Sequence, residues 1–235
     1  MEDYELIFNN KNCYRDLNIC IAEYPSIPQT NEDTEDVEVE GMNGKLIIKK
    51  GTFPDKEIPF TFSMIHLDNF WRRIDFINEW LDDIKDKRLF YGRTDKCYIV
   101  KNLTKGDIER EVKENGTFNV TFLVEGLLSD PEETEIEITN NFSLEYLGTE
   151  KELPILEIEA SGNIQIQFND ANIQINNVNG FVKINSKLKQ FLNKDLTSKD
   201  MDSLGSFPIL IPGTNTINWT GNISSMILKF SQKYR

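Results

Sequence analysis

The feature that most restricts the fold of this chain is a two-residue alternation of apolar and polar side chains. Successive side chains of a β-strand point to opposite faces, so the alternation places the apolar residues of each segment on one face. These residues are Ile58, Phe60, Phe62 and Met64; Phe118, Val120, Phe122 and Val124; Ile164, Ile166 and Phe168; and Met226, Leu228 and Phe230. The pattern predicts a mainly β protein whose strands are buried on one side.

Turn-forming residues separate these segments. Asn169-Asp170 follows one of them, and Ile173 and Ile175 resume the alternation after it, which predicts a β-hairpin. Short predicted strands separated by Gly, Asn or Pro at a spacing of about ten residues favour β-sandwich or barrel modules.

One segment, Asp68–Lys87, departs from the alternation and predicts an amphipathic α-helix. The residues of its apolar stripe, which recur at helical spacing, are Ile74, Ile77, Trp80, Leu81 and Ile84. Asp68 or Asn69 can accept the free amides of the first turn as an N-cap. A second stretch, Lys187–Leu196, is interpreted as a short helical turn.

A change of composition near residue 130 predicts two domains. The segment 130–159 holds ten acidic residues and one lysine, whereas residues 160–235 carry a net charge of +4. Ser129-Asp130-Pro131 is a plausible linker, because proline keeps the residue before it extended. We therefore expect two domains, one over 1–130 that contains the predicted helix and one over 131–235.

The overall charge and the cysteines exclude several classes of protein. A formal charge of −13 repels phosphates, so sequence-independent nucleic-acid binding is not expected. Cys13, Cys20 and Cys97 are odd in number and form no CxxC pair, which indicates reduced thiols in a cytosol. The first residues lack a basic segment followed by an apolar one, and no apolar run reaches about 18 residues, so neither a signal peptide nor a membrane span is expected.

The sequence offers few groups for catalysis. The only histidine is His66, which follows a predicted strand and is interpreted as a packed or hydrogen-bonded residue rather than a general base. Cys97 alternates within KCYIV and is predicted to be a buried strand residue. No GxSxG, GxxxxGK[ST] or strand-linked GxGxxG motif occurs. We therefore predict no enzyme, no cofactor, and no catalytic, cofactor-binding or metal-ligating residue.

Two features leave alternatives open. The segment Asn31–Glu40 holds six acids in ten residues and can be a solvated loop or edge strand, a surface that faces a partner, or a cation site. For a calcium loop Gly41 is badly placed, because it follows the acids instead of interrupting them. Trp219 lies among asparagines in NTINWTGN. It can be interpreted as a packing residue or as the aromatic platform of a sugar-binding site. A carbohydrate-binding module for host cell-wall sugars is therefore the alternative function.

Three stretches, taken in order, carry a resemblance. They are GKLIIKKGTFPDKEIPFTFSMI with the later NEWLDDIKDKRLFYGRTDKCYIVK; ELPILEIEASGNIQIQFND; and GSFPILIPGTNTINWTGNISSMILKFSQKYR. Together they resemble the siphophage distal tail protein family over most of the chain. Two departures are visible: the glycine usual at the opening of the second domain is Ala160 or is shifted to Gly162, and the loop at 31–40 is unusually charged.

The resemblance implies a structural virion protein of a phage or prophage, located at the tail tip after assembly in the bacterial cytoplasm. It implies an N-terminal domain that forms a hexameric ring and a C-terminal galectin-like β-sandwich. The implied partners are other copies of the chain, the tail tube protein, and a tail-associated lysin, fibre or receptor-binding protein, with no membrane. DNA is expected to pass through the channel without specific binding. In such a ring, 31–40 and Asn102–Glu114 are candidate contact elements, with mobile solvent loops as the alternative.

Overall fold

The computed structural model describes residues 5–64, 70–112, 115–139 and 142–235. The chain divides into two compact units. The N-terminal unit comprises Met1–Pro131 together with Arg235, and the C-terminal unit comprises Glu132–Tyr234. Both are built mainly from antiparallel strands, so the predicted fold class is confirmed.

The N-terminal unit is centred on a seven-stranded antiparallel sheet in the order β2-β1-β7-β8-β9-β6-β3. A separate two-stranded hairpin joins β4 to β5. The elements of this unit are β1 (Leu6–Phe8), β2 (Lys11–Asn12), α1 (Cys13–Leu17), β3 (Ile19–Glu23), β4 (Thr34–Glu38), β5 (Lys45–Lys49), β6 (Lys56–Met64), α2 (Phe70–Asp82), β7 (Arg88–Tyr91), β8 (Tyr98–Val112), β9 (Asn115–Val124) and β10 (Leu128–Ser129).

The alternation of β6 and β9 builds the core of this unit. All eight apolar residues predicted to face inward are buried, with side chains no more than 4% exposed. Phe60 and Phe62 stand opposite Val120 and Phe118 in the β6–β9 register. The stacked rings of Phe62 and Phe118 lie 5.2 Å apart, and such aromatic contacts add to the stabilisation from burial.

The predicted helix is present as α2, but it ends at Asp82 instead of continuing to Lys87. Ile77, Trp80 and Leu81 pack into the core as the apolar stripe predicts. The helix ends at Asp82 because Asn9, in the β1–β2 turn, donates to the carbonyls of Trp80 and Asp83, both at 2.8 Å. The Asn9 side chain thereby satisfies carbonyls that a helix end leaves free. The predicted N-cap, Asp68 or Asn69, lies outside the described residues.

The C-terminal unit contains a seven-stranded antiparallel sheet. Its central path is β11-β17-β13-β14-β15, while β12 also pairs with β17 and β16 with β14. The elements are β11 (Thr134–Ile138), β12 (Phe142–Tyr146), β13 (Ile155–Phe168), β14 (Ala171–Asn185), β15 (Gln190–Leu192), a 3₁₀ turn (Asp200–Asp202), β16 (Ser203–Gly205), β17 (Gly213–Phe230) and β18 (Lys233–Tyr234).

The three long strands of this unit are interrupted near their middles. The β13–β14 register shifts between Gly162 and Ile164, and the β13–β17 register between Ser161 and Gln165. Asn177 and Gly221 adopt positive φ angles of 53° and 104° at the matching points of β14 and β17. Each long strand therefore contributes to two half-sheets, and the buried faces of both belong to one hydrophobic cluster. This is the arrangement of a sandwich made by bent strands.

Of the two local secondary-structure predictions for this unit, one is confirmed and the other is wrong. The hairpin at Asn169-Asp170 is confirmed, since Phe168 stands opposite Ala171 and Asn169 has a φ of 50°. The helical turn predicted for Lys187–Leu196 is wrong. Its residues include β15, which pairs with β14, because burial of Phe191 against Phe207 outweighs local helix propensity.

Candidate interaction surfaces

The described thiols are poorly placed for nucleophilic chemistry. Burial raises the pKa of Cys13 to about 11, so the thiol is neutral near pH 7. Cys97 is fully buried, as predicted, but it precedes β8 and forms an isolated bridge to Ser129, to whose carbonyl its Sγ donates at 3.5 Å. His66 lies outside the described residues. Over the described ranges, no group of three or more His, Cys, Asp or Glu side chains is arranged to hold a metal ion, and no helix is long and apolar enough to cross a membrane.

The acidic segment Asn31–Glu40 lies largely in the β4–β5 hairpin. Glu35 and Asp36 of β4 stand opposite Ile48 and Ile47 of β5. Lys45 bridges Asp36 and the exposed Glu38 at 3.8 and 3.9 Å. Such exposed pairs stabilise a hairpin only weakly. The hairpin therefore presents an excess of negative charge.

The same hairpin also exposes apolar side chains. Leu46, Ile47 and Ile48 are 44%, 64% and 46% exposed, and Val39 and Met42 near its turn are similarly uncovered. Two-stranded ribbons are marginally stable in water, and contiguous exposed apolar residues commonly mark contacts with other proteins. Among the interpretations of this acidic segment, the structure supports an edge strand, because Thr34–Glu38 forms β4 of a two-stranded sheet.

A cleft of about 770 Å³ lies beside α1 and α2 in the same unit. Its walls include three cationic side chains, Lys11, Arg72 and Arg73, and one acidic side chain, Asp16. The guanidinium of Arg72 lies 5.4 Å from the ring centroid of Phe76, which also lines the cleft. In an acidic chain, this cleft is a local concentration of positive charge.

The second predicted contact element, Asn102–Glu114, forms regular structure as far as it is described. Its residues up to Val112 belong to β8, which pairs with β9, so this part is a strand and not a loop. Lys105 pairs with Asp82 of α2 at 2.7 Å. Lys113 and Glu114 lie outside the described residues.

On the outer face of one half-sheet of the C-terminal unit, charged side chains alternate in sign. Glu157 of β13 accepts from Lys183 of β14 at 3.0 Å and pairs with Lys229 of β17 at 3.3 Å. Lys229 also pairs with Glu135 of β11 at 3.1 Å. We call Glu135, Glu157, Lys183 and Lys229 the charged face.

The outer face of the other half-sheet carries uncharged polar side chains. We call this surface the amide face; its residues are Gln165, Gln167, Asn172, Gln174, Asn218 and Thr220. These residues line a concavity of about 450 Å³ with Leu204 and Gly205 of β16. Trp219 stands opposite Ile166 and packs against the core, so it contributes to the wall of the concavity without forming an exposed platform.

The PGTN segment of the third resembling stretch has a structural role that sequence reasoning did not assign. Asn215 is fully buried, and its side chain donates to the carbonyls of Ile211 and Gly213 at 2.8 and 2.9 Å. Its Oδ1 accepts from Asn169 at 2.7 Å, which ties this loop to the β13–β14 turn. A fully satisfied buried amide of this kind fixes loop geometry.

Comparison with known proteins identifies the architecture. No family model and no curated protein matches the sequence. Among solved structures, the chain is similar to the Dit protein of phage SPP1, described as a paradigm of the hub adsorption apparatus in phages that infect Gram-positive bacteria. The TM-score is 0.68 at 12% sequence identity, over 98% of this chain and 99% of Dit. The chain has the Dit fold. The similarity confirms, at the level of the fold, the resemblance predicted from the three stretches.

Proposed function

We propose that this chain is a structural component of a siphophage or prophage tail tip, where it acts as a distal tail hub. The observation that carries the proposal is the similarity to Dit over nearly the whole of both chains. A similarity confined to one β-sandwich would support little, because sandwiches serve many unrelated functions. Here the strand-rich unit with its helix and the bent-strand sandwich follow one another in the same chain.

In this proposal, residues 1–130 form a hexameric ring and residues 131–235 form a galectin-like sandwich. The ring joins the tail tube protein to a tail-associated lysin, fibre or receptor-binding protein, at the tip of a tail assembled in the host cytoplasm. DNA passes through the ring without specific binding, because an acidic wall repels phosphates. A measured basic potential along the channel of the assembled ring would contradict this last point.

The N-terminal unit offers two surfaces of opposite charge for such a ring. The acidic β4–β5 hairpin and the cleft lined by Arg72 and Arg73 are different surfaces of one unit. A closed ring uses heterologous contacts, in which one surface of each copy meets a different surface of the next. We therefore propose that the hairpin of one copy docks at the cleft of its neighbour, which also covers the exposed Ile47.

The first experiment tests the assembly itself. Mass measurement in solution and negative-stain imaging are expected to show hexameric rings, and immunogold labelling is expected to place the chain at virion tail tips. Because some rings close only on a tail tube, a monomer in solution is decisive only together with the virion images. Virions without the chain at their tail tips would overturn the proposed function.

A charge exchange tests the proposed contact. The Glu38→Lys/Glu40→Lys and Arg72→Glu/Arg73→Glu variants are each expected to lose rings, and the chain carrying all four changes to regain them. Glu132→Lys/Glu133→Lys is the matched control, since it makes the same charge change at exposed positions of the other unit. Rings that survive both double variants, with circular dichroism unchanged, would contradict the contact while leaving the hub proposal intact.

The proposal also predicts that the chain catalyses no reaction. Incubation with muropeptides and wall glycans is expected to release no product. Turnover that depends on the intact chain would contradict the assignment as a purely structural protein.

A further inference from the structure

We propose that the amide face of the C-terminal unit is a binding site for neutral saccharides. The site is formed by one unit of one chain and does not depend on the ring. It also differs from the site considered from the sequence, which placed an exposed Trp219 at its centre.

The first argument is the register of the strands. Across β17, β13 and β14, Asn218, Gln167 and Asn172 form one row, and Thr220, Gln165 and Gln174 form the next. Neighbouring strands lie about 4.8 Å apart, so adjacent side chains of a row are close enough to contact different hydroxyl groups of the same sugar. Strands β13, β14 and β17 hold both rows in place.

The second argument is the availability of the amides. Gln174 donates to Asn176 at 3.2 Å, but within the described part of the chain no side-chain hydrogen bond engages Gln165, Gln167 or Asn218. All three side chains are exposed. Each carboxamide has two N–H donors and one carbonyl acceptor. The face therefore offers donors and acceptors that can be used without breaking contacts of the fold.

The third argument is the match between these groups and a sugar. A sugar hydroxyl both donates and accepts, which is what a carboxamide can satisfy in either direction. None of the six residues of the amide face is charged, although charged residues make up 28% of the chain. A charged ligand would find no counter-ion there, whereas a neutral polyol needs none. Leu204, 72% exposed at the edge of the concavity, can cover the apolar C–H face of a sugar ring.

A protein partner fits this face less well. Protein interfaces are enriched in aromatic residues, methionine and arginine at their centres, and the amide face presents none of them. A dry protein contact would also leave several amides without hydrogen-bond partners, which weakens such a contact. A wet, open concavity suits a small polyol.

The size of the site limits the ligand and its affinity. A volume of about 450 Å³ lies within the range of small-ligand pockets, about 300–1,000 Å³. The concavity is open to solvent, so contacts come from one side. We expect a ligand of one to three sugar units, bound with a dissociation constant of about 0.1–10 mM.

Titration of the full chain with neutral sugars, followed by NMR, tests the site. The probes are lactose, maltose and N,N′-diacetylchitobiose at millimolar concentration. We expect saturable shifts of the side-chain amides of Gln165, Gln167, Asn172 and Asn218 with at least one probe. Binding at millimolar concentration that shifts other residues and leaves these four unchanged would overturn the proposal, as would no binding of any probe.

Matched variants complete the test. Gln165→Ala/Gln167→Ala is expected to weaken binding of the responding sugar by about tenfold or more, the effect of losing about 1.4 kcal/mol. Gln190→Ala removes an exposed glutamine from β15, away from the amide face, and is expected to leave binding unchanged. Equal affinities for the two variants, with the fold intact by circular dichroism, would overturn the proposal, and so would capture of a protein partner that needs the same glutamines in the absence of sugar.

Discussion

The charged face and the amide face share the three long strands β13, β14 and β17 and cover the same hydrophobic core, yet their chemistry differs. On one half-sheet, Glu157 is shared between Lys183 and Lys229, so the outward side chains satisfy one another. On the other, Gln165 and Gln167 point outward without partners in the described part of the chain. The polar groups of the charged face stabilise the sheet by pairing with one another, whereas those of the amide face remain available for hydrogen bonds to a ligand.

The breaks in the strands separate these two surfaces. A change of register at Gly162 and a positive φ at Gly221 redirect the chain while the inward positions stay buried. The core is therefore continuous across the break, whereas the outer surface is divided. Changes made on each side of the break, and at the break itself, test how independent the two faces are.

Among the substitutions that compare the two faces, the largest loss of stability is expected in the shared core. Phe168→Ala, beneath the amide face, removes a fully buried ring and is expected to destabilise the unit by about 3–5 kcal/mol. If both half-sheets form one cooperative unit, amide hydrogen exchange will accelerate in the strand segments of both faces. Acceleration limited to the amide half would show that the two halves unfold separately.

The next largest effect is expected at the break. In Gly221→Ala the new Cβ would lie 2.6 Å from the carbonyl oxygen of Asn163, at a φ of +104°. We expect destabilisation of about 2–4 kcal/mol by chemical denaturation. Gly162→Ala is the matched control, because its φ is +79° but no atom lies within 4 Å of the new Cβ. Gly162→Ala is expected to lower the free energy of unfolding by about 1–2 kcal/mol. An equal loss in Gly162→Ala and Gly221→Ala would show that the close approach at Gly221 is unimportant.

A smaller, pH-dependent effect is expected on the charged face. Burial raises the pKa of Glu157, but hydrogen bonds from Lys183 and Lys229 outweigh it and hold the pKa below its ordinary value of 4.5. A carboxyl with a depressed pKa stabilises the fold above its unfolded pKa, and this stabilisation is lost as the pH falls through its folded pKa. Glu157→Gln is expected to cost about 1 kcal/mol at pH 7.

Thermal unfolding at several pH values measures this effect. The difference between Glu157→Gln and the unmodified chain is expected to shrink as the pH falls below 4.5 towards the pKa of the folded state. A difference that stays constant down to acidic pH would mean that the lost contact is not ionic.

The smallest effect is expected on the amide face. Gln165→Ala removes an exposed side chain with no hydrogen-bond partner in the described part of the chain, so the free energy of unfolding should change by less than about 0.5 kcal/mol at any pH. Denaturant titrations at neutral and acidic pH check this. A larger loss would show that the amides hold the sheet together, which would remove the contrast between the two faces.

Much of the fold follows from local sequence patterns. Period-two alternation identified the inward residues of β6, β9, β13 and β17, because strand geometry alone fixes which side chains share a face. Helical spacing identified the apolar stripe of α2, and the pair Asn169-Asp170 identified the turn between β13 and β14. The failures were the end of α2 and the stretch Lys187–Leu196, where residues distant in sequence decided the outcome.

What the sequence by itself determined about this protein is its class: a mainly β chain with one amphipathic helix and an order of segments that resembles a phage tail hub. Only the tertiary structure decided that Asn9 ends a helix 71 residues away, and that Gln167 lies between Asn172 and Asn218. The physical reason is that alternation fixes inward and outward along one strand, but the neighbours of an outward side chain are set by pairing between strands. That pairing depends on register shifts and breaks, which local patterns do not specify.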